Sequence, residues 1–297
     1  MERLNFYDEI AKNKRKSIFL MILVFAVFIL LGYFISMATS PGNFFFVMII
    51  AIIFSTIYLI ISYNKSAEIA LASVNAKPAH KEYSQYYHSV EGLCLASGLP
   101  KPKLYVMENE SINAFASGKD PEHAVICVTT GALKKLNKQE LEGVLAHELS
   151  HVANYDIRFM TLTAVMVGMI AIISEVFLRS LWFRSFSGGR KEDARIKIIF
   201  ILIGVLLAVL APMFTMLVQM AVSRNREFAA DSTAVKFTRY PSGLSNALRK
   251  IKKDVPMAKA GKSIAPLFMS DPKRKPKTNW FSTHPDIDER IRRLERM

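Results

Sequence analysis

Cysteine is scarce in this chain of 297 residues, which contains only Cys94 and Cys127. Both stand in mainly apolar surroundings, and their spacing fits neither a zinc knuckle nor a framework of structural disulfides. We therefore expect two buried free thiols. This agrees with a reducing, cytoplasmic environment for the polar parts of the protein.

Charge is absent from two long apolar stretches near the N-terminus, residues 17–38 and 43–62. At about 1.5 Å per residue, either stretch can cross roughly 30 Å of hydrocarbon as a helix. Two more apolar stretches follow at 159–178 and 198–222. One such stretch could be a buried core helix, but four in a chain of this size predict a multi-pass membrane protein.

Basic residues are also absent from the short turn between the first two stretches, residues 40–43. They flank the pair instead, as Arg3, Lys12, Lys14, Arg15 and Lys16 before it and Lys65, Lys77 and Lys81 after it. This distribution predicts that both flanks lie in the cytoplasm. The connection between stretches three and four is basic as well and would face outward, against the rule. We give precedence to the first pair, which usually dominates orientation.

The remaining polar residues fall into two segments, 64–158 and 223–297, with 1–63 forming an N-terminal segment and hairpin and 159–222 the later spans. An even number of crossings separates the two polar segments, so they emerge on one side and can fold together. Residues 67–95 carry the apolar spacing of a helix. Runs at 103–107 and 123–129 predict strands, and Asn137 followed by Glu140 predicts a helix start.

The most informative short motif is His147-Glu148-Leu-Ser-His151. Residues four apart lie on one face of a helix, so the two imidazoles can bind a single zinc ion. Glu148 then lies beside the open coordination position, where it can hold the attacking water and act as general base. The alternative without a function is a solvated helix with both histidines facing water. The helix start, the apolar adjoining face and the upstream strands favour the metal site.

A catalytic zinc usually takes a third protein ligand. The extended motif with a third histidine is absent, because positions 154 and 157 are Asn and Ile. A carboxylate on another helix is the next candidate, and Glu227 and Asp231 lie four residues apart just after the fourth apolar stretch. Glu227 can supply the third ligand while Asp231 holds a histidine ring. The alternative is a charge cluster that anchors the fourth span at the interface, and the two readings are compatible.

Several further features accompany the motif in order, and they cover nearly the whole chain: the paired N-terminal stretches, Asn113-Ala-Phe-Ala-Ser-Gly118, Asn154 and Asp156 after the motif, Arg226-Glu-Phe-Ala-Ala-Asp231, and Ser282-Thr-His-Pro285. The combination resembles the HtpX-like membrane zinc metalloproteases, which are related more distantly to CAAX prenyl proteases. The resemblance implies one Zn²⁺ per chain with Glu227 as third ligand. It also implies proteolysis of membrane or misfolded proteins at the cytoplasmic face of a bacterial inner membrane, in protein quality control.

Two further sites have open alternatives. Asn113, Ala114 and Phe115 could form an edge strand that binds an extended peptide substrate through its main chain, or a capped turn around Asn113. His284 could donate a hydrogen bond to the oxyanion that forms when the peptide bond is attacked, or it could simply precede a helix start at Pro285. The resemblance favours the functional reading of both.

The expected fold is an α+β membrane protein: four hydrophobic helices and a mainly helical, zincin-type domain with a small β-sheet. A scaffold or chaperone with a structural metal is the main rival, although structural zinc sites are closed and usually cysteine-rich. A transporter would need polar groups at the membrane midplane, whereas Glu175 and Gln219 lie near span ends. The net charge of +14 does not require nucleic acid, because basic residues at span borders suit anionic lipid. Substrate sequence and oligomeric state stay open.

Overall fold

The computed structural model describes residues 6–39, 44–80, 82–166, 224–257, 267–270 and 285–297. In these ranges the helices are α1 (Phe6–Thr39), α2 (Phe44–Ser73), α3 (Ser84–Ser97), α4 (Thr130–Lys135), α5 (Lys138–Ala153), α6 (156–166), α7 (Arg224–Thr238), α8 (Pro241–Lys253) and α9 (Ile287–Leu294). The strands are β1 (Lys77–Pro78), β2 (Lys103–Met107), β3 (Ala114–Ser117) and β4 (Val125–Thr129). The described part is thus mostly helical with a small sheet, as expected.

The sheet has the strand order β1-β2-β4-β3. The pair β2 and β4 is parallel, while β1 and β3 each pair antiparallel with a neighbour. The predicted strand at 103–107 is confirmed. The next one begins at Val125 rather than at His123, because Pro121–His123 forms a 3₁₀ turn in which Asp120 accepts a hydrogen bond from the His123 N–H. The order leaves β3 at an edge of the sheet, beside α5.

A single helix over 67–95 is wrong. Helix α2 ends at Ser73, and Asn75 adopts a positive φ of 52°, a left-handed conformation that a helix cannot continue through. The chain then enters β1, and α3 begins only at Ser84. The helical spacing of apolar residues therefore continues in sequence although the helix itself is interrupted by a turn at Asn75.

Helix α5 is the centre of the fold. Its predicted start is confirmed, because Asn137 and Glu140 form a capping box in which each side chain accepts a hydrogen bond from the other's main-chain N–H. Its apolar face packs into the main hydrophobic core through residues that include Leu141, Leu145 and Leu149. Helices α3, α7 and α8 and strand β3 all pack against it. Helices from both polar segments, 64–158 and 223–297, thus pack together at α5.

The first two apolar stretches lie within α1 and α2, which pack together. Phe28 contacts Phe54 and Tyr58 edge to face, and α6 joins the same apolar cluster through Phe159 and Leu162. Among the described residues, α2 is the one helix that is long and apolar enough to cross a membrane, and 11% of that apolar window is buried. Most of residues 159–222 lies outside the described residues, so the count of four spans stays a prediction.

The two cysteines are confirmed as buried free thiols. Burial raises the pKa of Cys94 and of Cys127 above the ordinary value for a thiol. Neither thiol is therefore a ready nucleophile or metal ligand at neutral pH.

Candidate metal centre

His147 and His151 lie one turn apart on α5, and both are buried. Their Nε2 atoms are 3.3 Å apart, and the ring planes are nearly perpendicular, at 89°. Glu227 in the first turn of α7 places Oε2 3.6 Å from His147 Nε2 and Oε1 3.6 Å from His151 Nε2. The structure therefore brings together the three residues that the sequence proposed as ligands, with their ligand atoms within 4.8 Å of one another.

These distances fit a zinc ion. Tetrahedral ligands at about 2.1 Å from zinc lie about 3.4 Å from one another. The two Nε2 atoms are 3.3 Å apart, and each lies 3.6 Å from a different oxygen of Glu227. With one ligand atom from each residue the three atoms lie within 4.8 Å of one another, so one Glu227 oxygen needs only a small shift to complete the site. Two imidazoles and a carboxylate, with a fourth position left over, are also a donor set that catalytic zinc uses.

Two more carboxylates hold the far sides of the imidazole rings. Asp231 Oδ1 lies 3.0 Å from His147 Nδ1, and Asp156 Oδ2 lies 3.0 Å from His151 Nδ1. Such contacts orient each ring and make its other nitrogen a better ligand. The position of Asp231 agrees with the role proposed for it. The role of Asp156 was missed, although the residue stands among the features that follow the motif. Helix α5 ends at Ala153 and Tyr155 adopts a positive φ of 57°, so the contact with His151 forms across a break in the helix that the spacing does not predict.

Arg290 on α9 is also missed by the sequence reasoning. It is one of the largest fully buried side chains, and its guanidinium donates to both oxygens of Asp231, at 2.6 and 2.9 Å. Its Nη1 lies 3.4 Å from Glu227 Oε2. The signal is helical spacing, because position 290 lies on the same face as the buried Ile291 and Leu294 of α9.

The electrostatics of this group are those of a buried ion-pair network. Burial opposes the charged forms, but Asp231 and Glu227 raise the pKa of Arg290, so the guanidinium stays charged. In the same way, burial is outweighed by Arg290 and His147, and the pKa of Asp231 is lowered. Burial and Arg290 lower the pKa of His147, yet its contacts with Asp231 and Glu227 raise it to about 9. The carboxylates around His147 therefore stabilise a positive charge at this point of the site.

The buried ionisable groups around the two histidines include more acidic than basic side chains. Around the two histidines lie four buried carboxylates and two buried guanidinium groups: Glu148, Asp156, Glu227 and Asp231, with Arg226 and Arg290. When all are ionised, the carboxylates exceed the guanidinium groups by two negative charges. Because uncompensated buried charge is costly, this excess calls for one divalent cation or for protons on His147 and Glu148, the two groups whose pKa values are raised.

Glu148 lies beside the ligands and is buried. Its Oε2 accepts a hydrogen bond of 2.7 Å from the Ala116 N–H of β3. Among the described residues, its Oε1 has no hydrogen-bond partner. Burial raises the pKa of Glu148 above the ordinary value for a carboxyl group, although the two histidines act against this. One oxygen is therefore held in place by the strand, and the other is available to a water molecule or a proton.

Of the two readings for Asn113, Ala114 and Phe115, the structure contains the edge strand and no turn at Asn113; substrate binding there stays a prediction. The edge strand β3 begins at Ala114, and the Asn113 side chain accepts a hydrogen bond from the Ala114 N–H. Both Ala114 and Phe115 have buried side chains, so any peptide contact must run through the main chain. Residues 267–270 lie against this edge: the Met269 N–H donates to Ala114 O at 2.9 Å.

His284 lies outside the described residues, and its role stays a prediction. The described chain resumes at Pro285, and Asp286 caps α9 by accepting hydrogen bonds from the main-chain N–H groups of Asp288 and Glu289. The alternative to a functional role for His284 was that it simply precedes a helix start. That helix start is made by Asp286.

Comparison with known proteins identifies one family model and several similar chains. Residues 80–297 match the family model described as peptidase family M48. A protease HtpX homolog of Caldanaerobacter subterraneus is 42% identical over 303 residues, with 99% of each chain covered. One from Dictyoglomus turgidum is 40% identical over 300 residues, covering 100% of this chain and 96% of the relative. The crystal structure of S. mikatae Ste24p is 20% identical with a TM-score of 0.49, covering 97% of this chain and 66% of that one.

Proposed function

Since the chain belongs to peptidase family M48 and is an HtpX-like metalloprotease, we propose that its metal is zinc and that it is a membrane-integrated endopeptidase. It hydrolyses peptide bonds of membrane or misfolded proteins at the cytoplasmic face of a bacterial membrane, in protein quality control. The observation that carries this proposal is the buried convergence of His147, His151 and Glu227 beside Glu148.

His147, His151 and Glu227 are the residues that would hold the zinc. Asp231 and Asp156 keep the two imidazole rings turned toward it. When bound, zinc supplies a Lewis acid that polarises the scissile carbonyl and lowers the pKa of a water molecule. The charge balance and the ligand separations described above support this assignment.

Glu148 acts as the general base. Its Oε2 is fixed by the Ala116 N–H, so Oε1 can accept the proton of the attacking water and pass it to the leaving amine. A carboxyl group with a raised pKa suits both steps, because a proton-transfer group works best when its pKa is near the working pH. A metal that served only a structural role would need no such base, and membership in a peptidase family argues against that alternative.

The main chain of β3 is the proposed site for an extended substrate. Ala114 O already accepts a hydrogen bond from Met269, and the Asn113 side chain donates to Ser270 O at 3.2 Å. These contacts support the proposal because main-chain groups at this edge already bond to another segment of the chain, as an added peptide would. A peptide that uses the same groups must replace Met269. His284 is proposed as a donor to the oxyanion of the attacked carbonyl.

Membrane placement is supported by the surface of the first two helices. Large apolar side chains are exposed along them, among them Phe19, Ile22, Phe45, Phe46 and Ile53. An apolar surface of this size is unfavourable in water and suits hydrocarbon. Flanking basic residues support a cytoplasmic orientation of the site. Loops and unfolded parts of membrane proteins could reach the site there.

The test is purification in detergent, zinc analysis by mass spectrometry and casein cleavage with and without a chelator. We expect about one zinc per chain and cleavage that the chelator abolishes and added zinc restores. Glu122→Gln, at an exposed position away from the site, is the matched control for Glu148→Gln. Chelator-resistant cleavage in both variants would contradict the proposal.

A further inference from the structure

Helix α1 reaches the metal centre through Asn13, which is fully buried. The Asn13 amide donates to Asp156 Oδ1 at 2.7 Å and to Asn154 O at 3.1 Å. Arg226 Nη2 donates to Asn13 Oδ1 at 3.4 Å, and Arg226 Nε lies 3.0 Å from Asp156 Oδ1. The other oxygen of Asp156 contacts the Nδ1 atom of His151. An unbroken polar chain therefore runs from α1 to a ligand.

The position of Asn13 in the sequence makes this contact unusual. It lies four residues before the uncharged stretch 17–38, the first stretch that we assign to the membrane. A buried amide is costly unless its donors and acceptor are satisfied, and here both ends are used by groups from other elements. One turn further along α1, the hydroxyl of the buried Ser17 donates within its own helix, to Asn13 O at 2.9 Å.

We propose that Asn13 is a positioning residue of the metal centre. It fixes Asp156, Asp156 fixes the ring of His151, and the first apolar helix thereby becomes a structural part of the site. The inference rests on the proposed zinc ligation by His151. It extends that proposal to a residue whose hydrogen bonds go to Asn154, Asp156 and Arg226 rather than to a proposed ligand, and which lies more than 130 residues from the ligands in sequence.

The physical consequence of losing the amide follows from the contacts. Asp156 would keep Arg226 but lose its neutral donor, so the carboxylate could rotate toward the guanidinium and away from His151. His151 would then lose the acceptor that orients its ring and increases its basicity. Loss of a group that directly supports a ligand weakens metal affinity by about 10- to 100-fold. Asn13 is one hydrogen bond further away, so we expect about tenfold.

The experiment uses full-length protein in detergent and measures zinc affinity by competition with a chelator. Asn13→Leu keeps the approximate shape of the side chain and removes both polar groups, while Ser17→Ala is the matched control in the next turn. We expect Asn13→Leu to weaken zinc binding about tenfold and Ser17→Ala to leave it unchanged. The unfolding temperature of the zinc-free protein identifies a variant that has merely lost its fold.

A double-mutant cycle separates positioning from general packing. In an Asp156→Asn background, Asn13→Leu should cause little further loss of zinc affinity, because the proposed effect passes through Asp156. Fully additive losses, wild-type affinity in Asn13→Leu, or an equal loss in Ser17→Ala would each overturn the inference. If His147→Ala also retains wild-type zinc affinity, the proposed ligation itself fails; if His147→Ala loses zinc while Asn13→Leu does not, the inference about α1 fails alone.

Discussion

Replacing Glu227 by alanine should remove zinc more effectively than any change outside the ligand set. The substitution deletes the only anionic ligand and leaves two imidazoles, His147 and His151. It also deletes one of the buried negative charges that a cation would balance. Arg290 keeps its two hydrogen bonds to Asp231, so the network on that side of the site stays paired and the fold should be preserved.

The magnitude can be bounded from the neighbouring groups. Removing a group that only supports a ligand weakens metal affinity by about 10- to 100-fold, so loss of Glu227 itself should exceed about 100-fold. That corresponds to more than about 2.7 kcal/mol, at 1.36 kcal/mol per tenfold change. Asp231→Asn should fall within the 10- to 100-fold range. Alanine is unsuitable at position 231, because it would leave a buried guanidinium without its partner, at a cost of about 3–5 kcal/mol in stability.

The assay is zinc competition against a chelator of known affinity, together with casein cleavage at saturating zinc. Glu110→Ala removes an exposed carboxylate and should retain wild-type zinc content. Glu227→Gln tests whether the charge, rather than the shape, carries the binding, and should also lose zinc. Stoichiometric zinc in Glu227→Ala, combined with loss of zinc in Asp231→Asn, would refute the reasoning and exchange the roles of the two carboxylates.

Three further predictions concern the base, the buried guanidinium and the topology. Glu148→Gln should retain about one zinc per chain but lose at least about 100-fold in cleavage rate, because general bases contribute 10²- to 10⁴-fold; activity above a tenth of wild type would exclude this role. Arg290→Met should lower the stability measured by thermal unfolding by about 3–5 kcal/mol, whereas Arg293→Met, at a half-exposed position of the same helix, should change it by less than about 1 kcal/mol. In intact cells that express a cysteine-free variant of the protein, single cysteines placed at the exposed positions Glu82 and Arg296 should not react with an impermeant thiol reagent. Efficient labelling at either position would reverse the proposed orientation.

Features that depend on short-range periodicity could be predicted from the sequence. His147 and His151 share a face because a helix repeats every 3.6 residues, and the same spacing puts Glu227 and Asp231 on one face of α7. Asn137 identified the start of α5 because its side chain caps the helix locally. Each of these inferences needed only neighbours within about one helical turn.

The outer contacts of the site were decided by the tertiary structure alone. Asn13 and Asp156 are 143 residues apart, and Arg290 lies 143 residues from His147. In the sequence, Arg290 is one basic residue among several in a charged helix, and Asn13 is one polar residue before an apolar stretch. Helical spacing places Arg290 on the apolar face of α9, but nothing local shows which groups a buried guanidinium or amide will pair with. Their roles arise because α1 and α9 each bring one polar side chain to the site at α5, where buried polar groups must find partners from other elements.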